Sequence, residues 1–369
     1  MLAIFDMSTI NMERYNSELL KTYDENYVAY VDDPDLCTPT KFRNCKLVCT
    51  SWWKISKLIK NFRDNNISLI IISGQRPADL RILISANFLD IPVIYKMHGL
   101  YIPHMKRGFS FYILKLMKAL RTLFYLLDIA CYKRSLDVSV GMLRSFIFGY
   151  PRNSWANCKE LRIDIGLIWS EYWRSWHEEH WAMVPKIGWF EVGNPDTVKF
   201  KTVSVDDESL IYVYQTLVED GRIDLKKMNN FYNILESSSR ISKKTIHVKW
   251  HPRGDEKTKR ELISRGFIIH DDLPKGKYYI GHYSSLLGIA PLMNGHVIIA
   301  ELDGHPTPKP IREIANIVLK DLVSLRVTLE TPFPNFELKN NEAIYFFGDH
   351  YNKDVEKSLI CEYITNDGK

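Results

Sequence analysis

Three polar clusters in the second half of the chain have the residue types needed to move a group onto a hydroxyl. Glu219-Asp220-Gly221 follows the apolar run 210–214, His251-Pro252 follows 246–250, and Ser284-Ser285 follows 277–280. An acidic side chain beside a sugar hydroxyl can accept its proton, a contribution of roughly 10²–10⁴ in rate. Glu219, the first acid of the pair, is the expected base, with Asp220 as the other choice. Gly221 permits the tight turn that brings backbone close to a ligand. Pro252 biases His251 toward an extended backbone, so its imidazole is expected at a strand end, where it can neutralise a departing phosphate, with Arg253 adding charge. Ser284 and Ser285 open an expected helix over 286–293 and offer hydroxyls and unpaired N–H groups to an anion; Pro291 should kink or shorten that helix. Each cluster also has a plain reading: a surface turn, a stiffened loop, an N-cap.

Strands must carry these clusters. Ligands of open α/β sheets gather beyond the carboxyl ends of strands, and all three clusters follow runs that read as buried strands. In the first half, runs 2–5, 27–31, 46–49, 69–72, 93–95, 136–140 and 187–192 read as strands, with amphipathic helices over 52–61 and 78–89. The second half repeats the pattern with runs 210–214, 245–250, 267–269, 278–280 and 297–300. Short apolar strands separated by helices predict two Rossmann-like α/β domains with largely parallel sheets, facing across a cleft. The breaker Gly193-Asn194-Pro195 marks the boundary. The expected domains are 1–194, binding the acceptor, and 195–353, binding the donor, with a terminal helix over 354–369 packing back on the first.

Composition narrows the function. A chain of 369 residues suits two domains. Its 46% hydrophobic and 25% charged residues are those of a globular protein. A formal charge of +5, without a stripe of Lys and Arg interleaved with stacking aromatics, argues against a nucleic-acid partner. The six cysteines form no paired CxxC pattern, which points to reduced thiols and the cytoplasm. The amino terminus has no basic region ahead of its apolar residues, and no window of about 18 apolar residues suggests a spanning helix.

Other features invite weaker readings. Gln75 and Arg76, after the run 69–72, and His98, after 93–95, are candidate acceptor-binding residues or ordinary turn residues. Residues 109–132 are rich in Phe, Tyr, Leu and Ile, yet carry Lys115, Lys118 and Arg121. Such a helix can lie on an anionic membrane surface with its cations at the headgroups; a mostly buried helix with snorkelling cations is the first explanation. Trp155, Trp169, Trp173, Trp176 and Trp181 suit packing before a sugar platform. His177-Glu178-Glu179-His180 lacks the His-Glu-x-x-His zinc spacing, so no metal site is expected.

Taken together, the order and spacing of Glu219-Asp220-Gly221, His251-Pro252 and Ser284-Ser285 resemble bacterial sialyltransferases of the GT-B fold, and Gly193-Asn194-Pro195 is similar to a turn near the inter-domain linker of several GT-B enzymes. The resemblance covers about residues 212–294. It implies inverting, metal-independent transfer from CMP-sialic acid or a related CMP-nonulosonic acid to a sugar hydroxyl of a bacterial surface glycan, without a cofactor. The acidic pair would supply the base, His251 would act on the phosphate, and Gly221, Pro252, Arg253, Ser284 and Ser285 would line the donor. The alternatives are a GT-B transferase using a UDP-sugar or CDP-polyol for cell-surface polymer synthesis, or a non-catalytic nucleotide-sugar binding subunit.

Overall fold

The structure is a computed structural model. It describes residues 1–366 apart from Gln75, Ala182, Asp303, His305 and segments 101–115, 134–135, 137–138, 142–162, 199–203 and 207–208. The chain divides into two compact units. Met1–His98, Tyr112–Asn194 and His350–Lys369 form the first, and Pro195–Asp349 belong to the second, as do Gly99 and Leu100.

The first unit is built on seven strands: β1 (Leu2–Asp6), β2 (Tyr27–Val31), β3 (Cys45–Cys49), β4 (Leu69–Ile72), β5 (Val93–Lys96), β6 (Ile165–Ile168) and β7 (Gly188–Glu191). They pair in parallel in the order β3-β2-β1-β4-β5-β6-β7. Every residue of β1, β2, β4, β5 and β6 is buried, as expected of strands covered on both faces. The covering helices are α1 (Thr9–Thr22), α2 (Ile55–Asp64), α3 (Pro77–Phe88), α4 (Leu116–Lys133) and α5 (Glu171–Trp181). Helix α1 starts where the Ser8 hydroxyl accepts from the Asn11 N–H at 3.1 Å. Helix α2 buries Ile55, Leu58, Ile59 and Phe62, one helical stripe.

The expected strand over 136–140 is corrected. Leu136 sits in a bend, and Ser139 to Gly141 are helical, with the Ser139 hydroxyl donating to the Leu126 carbonyl. The place beside β5 is taken by β6. A short apolar run does not distinguish strand from helix by periodicity, and here the pairing decided it.

The second unit has six parallel strands: β8 (Leu210–Val213), β9 (Ile246–Lys249), β10 (Ile268–His270), β11 (Tyr278–Gly281), β12 (His296–Ala300) and β13 (Ile317–Leu319). Their order is β10-β9-β8-β11-β12-β13. The helices are α6 (Leu225–Ser242), α7 (Glu256–Ser264), α8 (Lys309–Ile314), α9 (Leu322–Glu330) and α10 (Asn340–Phe347). Tyr212, Phe231, Leu235, Val248, Ile280 and Ile298 meet in its core. The three-residue edge strand β13 had no counterpart in the sequence reading.

Helix α11 (Lys353–Asn366) returns to the first unit, where Ile360 joins Leu2, Ile4 and Met12. Gly193 adopts φ +74, and a Cβ there would stand 1.9 Å from the His350 carbonyl oxygen. Only glycine fits that approach, which lets Asn352 N–H reach the Val192 carbonyl at 2.7 Å. Buried Lys96, at the end of β5, donates to Glu356 of α11, whose other oxygen accepts from Tyr351. Removing one partner strands a buried charge. Glu356→Ala should lower unfolding free energy by about 3–5 kcal/mol in urea titrations, and the double change Lys96→Met with Glu356→Met should recover most of it.

Candidate functional site

Ligands of open parallel sheets bind where the strand order reverses. In the second unit that point lies between β8 and β11. The loops leaving both strands are tied together there, because the Gln215 side-chain oxygen accepts from the Tyr283 N–H at 2.9 Å. The three clusters picked out in the sequence all fall on loops at this end of the sheet.

The acidic pair is occupied by its own surroundings. Glu219 Oε1 accepts from the Tyr214 hydroxyl at 2.6 Å and from the Asp255 N–H at 3.2 Å. Asp220 Oδ2 accepts from the Thr216 hydroxyl at 3.0 Å and faces Arg253 at 3.7 Å. Both carboxylates thus bind the loop after β8 to itself and to the loop after β9, and the stacked rings of Tyr214 and Trp250, 4.2 Å apart, do the same below them. Glu219 is exposed and Asp220 half-buried. Gly221 has φ +65, the conformation for which glycine suits the turn.

His251 is half-buried just beyond β9, with Pro252 and Arg253 exposed beside it. Its Nδ1 accepts from the Arg253 N–H at 3.1 Å. A neutral imidazole held this way carries its proton on Nε2, so it donates. The Ser284 hydroxyl accepts from the Leu286 N–H at 3.3 Å, capping a five-residue 3₁₀ turn, Ser285–Ile289. The single helix expected over 286–293 is instead two 3₁₀ turns, the second being Pro291–Met293. Pro291 has no N–H to continue an α-helical ladder. Arg222, missed in the sequence, lies over the Tyr283 ring at 5.2 Å and donates to its hydroxyl. Its position just after the Glu-Asp-Gly turn was the available signal.

In the first unit the strand order reverses between β1 and β4. Buried Asp6, the last residue of β1, accepts from the Met7 N–H at 2.6 Å through Oδ1 and from the Ser73 hydroxyl at 2.5 Å through Oδ2. His98, just past β5, donates from Nδ1 to the Ser73 carbonyl at 2.5 Å, since a carbonyl can only accept. Its Nε2 therefore bears the lone pair. The Tyr15 ring meets this imidazole edge-on, with centroids 5.1 Å apart. Burial lowers the His98 pKa below the ordinary histidine value and the nearby Arg76 charge acts in the same direction, against Asp6. Arg76 itself is paired with Asp79. Its guanidinium holds the Asp79 carboxylate at 2.6 and 2.8 Å, and its N–H donates to the same group at the start of α3. Gln75 lies outside the described residues. Ser73 opens the loop 73–77 that carries Gln75 and Arg76; Asp6 was not singled out in the sequence, where nothing marks a single Asp at a strand end.

Three of the five tryptophans pack inside the first unit, and Trp176 is half-buried. Trp169, Trp173 and Trp181 are buried, while Trp155 lies outside the described residues. His177 donates from Nδ1 to the Trp173 carbonyl, and its Nε2 accepts from the Tyr95 hydroxyl at 2.9 Å. Burial lowers its pKa to about 4. Among the described residues no group of three or more His, Cys, Asp and Glu side chains is placed to hold a metal ion.

No protein-family model matches the chain, and no curated protein matches it in sequence. Solved structures do. The chain is similar to CalG4, the calicheamicin glycosyltransferase, at 8% identity and TM-score 0.54 over 99% of this chain and 98% of that one. It is similar to a putative UDP-N-acetylglucosamine 2-epimerase from Listeria monocytogenes at 10% identity and TM-score 0.52, covering 99% and 96%. A UDP-GlcNAc 2-epimerase from Neisseria meningitidis, solved with UDP-GlcNAc, matches at 11% identity and TM-score 0.50 over 99% of both chains. The likeness shows the fold: two parallel-sheet α/β units of the GT-B type.

The two histidines should differ in tautomer. Long-range ¹H–¹⁵N spectra, assigned with His98→Gln and His251→Gln, should find His98 protonated on Nδ1 and neutral below pH 6.5, and His251 protonated on Nε2 when neutral. The same tautomer for both would contradict the geometry.

Proposed function

We propose that the chain is a nucleotide-sugar-dependent glycosyltransferase, moving a sugar from a pyrimidine nucleotide donor to a hydroxyl of a glycan acceptor. The observation that carries the proposal is the set of donors at the reversal point of the second unit: His251 with its proton on Nε2, the hydroxyls of Ser284 and Ser285, and the cations Arg222 and Arg253. Anion-stabilising groups gathered at such a point suit a phosphate whose charge grows as it leaves.

In the transfer step the acceptor oxygen attacks the anomeric carbon. The bond from that carbon to the donor phosphate oxygen breaks, and the nucleotide leaves with the electron pair. His251 and the serine hydroxyls donate to the phosphate oxygens, and the arginines add charge. We assign the acceptor's proton to the Glu219–Asp220 pair, which lies on the same unit as those donors, with Glu219 as the first choice. The Tyr214 and Thr216 hydroxyls hold the two carboxylates in place, and His251 and the serines serve the phosphate. These side chains supply the phosphate stabilisation that metal ions give elsewhere, so the proposed reaction needs no metal.

Two donor classes compete. The trio Glu219-Asp220-Gly221, His251-Pro252 and Ser284-Ser285 supports CMP-sialic acid or a related CMP-nonulosonic acid. The likeness to UDP-GlcNAc epimerases, one solved with UDP-GlcNAc, supports a UDP-sugar and is the reading the comparisons favour.

Thermal shift with CMP, UMP, UDP and CDP separates these readings. The true product nucleotide at 100 times its Kd should add about 2.7 kcal/mol of stability, and no shift with any of the four would defeat the proposal. With the donor identified, Glu219→Gln or Asp220→Asn should lower transfer roughly 10²–10⁴-fold while nucleotide binding is kept, and His251→Ala should weaken both. Parental rates in both acid variants would take the base role away from the acid pair. Activity should survive EDTA; its loss, restored by magnesium or manganese, would contradict the metal-free step.

A further inference from the structure

We infer that the outward face of α4, together with Trp52, rests on an anionic lipid surface, independently of the reaction proposed above. The observation behind this is the apolar side that α4 turns outward. Its inward side mixes Leu126, Ile129 and Ala130 with Arg121 and Tyr125. Arg121, buried, is 3.4 Å from the Asp33 carboxylate and donates to the Asp32 carbonyl at 3.2 Å, and the Tyr125 hydroxyl donates to the Asp32 carboxylate at 2.8 Å. The sequence reading that set Arg121 at the headgroups is therefore corrected.

The outward side is apolar. Leu116, Met117, Leu120, Leu123 and Leu127 are each between 44% and 66% exposed. At about 100° per residue they fall, with half-buried Phe124, within an arc of about 120° that contains no charged side chain. A helix facing water normally turns its charges outward. The seam of a paired coiled coil is narrower than this arc, whereas a helix lying in a membrane interface presents a broad apolar face.

Trp52 adds a second, independent sign. It holds φ +62, a left-handed conformation that is costly for a bulky residue, and its indole is 42% exposed beside the Phe124 ring at 5.5 Å. The backbone is held there by its neighbours: the Trp52 N–H donates to the Tyr125 hydroxyl at 3.0 Å, and Arg121 donates to Ser51 at 3.2 Å. A conformation held in this way by its surroundings motivates a functional reading of the residue, and an indole is favoured at headgroup depth.

Charge selects the kind of surface. Lys118, although 3.8 Å from Asp33, keeps 55% of its side chain exposed. Between residues 101 and 135 the sequence adds Lys106, Arg107, Lys115, Lys133 and Arg134, against Asp128 as the single acid. That acid accepts from the Ile55 N–H at 2.8 Å. Such an excess of cations complements anionic headgroups. No helix among the described residues is long and apolar enough to cross a membrane, so this one would lie on it.

Cosedimentation of the full chain with vesicles of equimolar phosphatidylglycerol and phosphatidylcholine, beside phosphatidylcholine alone, tests the inference. The parent should bind the anionic vesicles preferentially. The triple change Leu120→Gln, Leu123→Gln and Leu127→Gln should lower partitioning at least about tenfold and keep the thermal midpoint, since these side chains already face water. Trp52→Gly should relieve the backbone, hold or raise the midpoint, and still weaken binding. A parent that does not bind, or variants that bind like the parent, would overturn the inference. So would a parent dimer in sedimentation velocity that the triple change dissociates, with no vesicle binding by either; the face would then join two copies of the chain.

Discussion

A parallel strand covered on both faces has nowhere to put a polar side chain except at its ends. Strands β4 and β8 are apolar throughout and β1 up to its last residue, and polar residues gather at the ends: Asp6 closes β1, Ser73 follows β4, and Gln215 and Thr216 follow β8 after Tyr214. Because parallel strands share a direction, those ends collect on one edge of each sheet. The order in which the strands pair then decides which ends become neighbours. Asp6 meets Ser73 because β1 pairs with β4, and Gln215 meets the Tyr283 backbone because β8 pairs with β11. The candidate chemistry of both units is thus a by-product of burying a sheet.

The same constraint explains the polar interior beneath α4. Asp32 follows β2 and is fully buried, so it needs partners brought from elsewhere. Arg81 of α3 supplies one at 3.0 Å, the Tyr125 hydroxyl a second, and Arg121 reaches its carbonyl. The Arg81 guanidinium also lies over the Tyr125 ring at 3.3 Å. One carboxylate therefore fixes the rotation of α4 about its own axis. Leu116, Leu120, Leu123 and Leu127 face outward because the arginine and tyrosine must face inward, beside Leu126.

Much of the fold was legible because its strands are continuous apolar runs with helices between. Eleven of the strands were read in nearly the right place; β6 was missed and a strand wrongly set over 136–140, and the three-residue β13 gave too short a signal. The clusters around Glu219, His251 and Ser284 were found because each combines unusual residues with a turn. Their hydrogen-bonding states were not legible. Whether a histidine offers a proton or a lone pair depends on a single backbone group, the Arg253 N–H for His251 and the Ser73 carbonyl for His98. Arg121 was misread for a related reason: its burial depends on an aspartate 89 positions earlier, and helical periodicity carries no trace of such a partner.

The bond between Lys96 and Glu356 spans 260 positions of sequence. During synthesis, β1 to β7 emerge first, yet Ile360 and Tyr351, which belong to the same core, are made only after the whole second unit. Until then Lys96 has no carboxylate to meet. The unit that is translated first is consequently the one that finishes folding last, and a nascent chain must carry an open core past a complete neighbouring sheet before its final helix can close it.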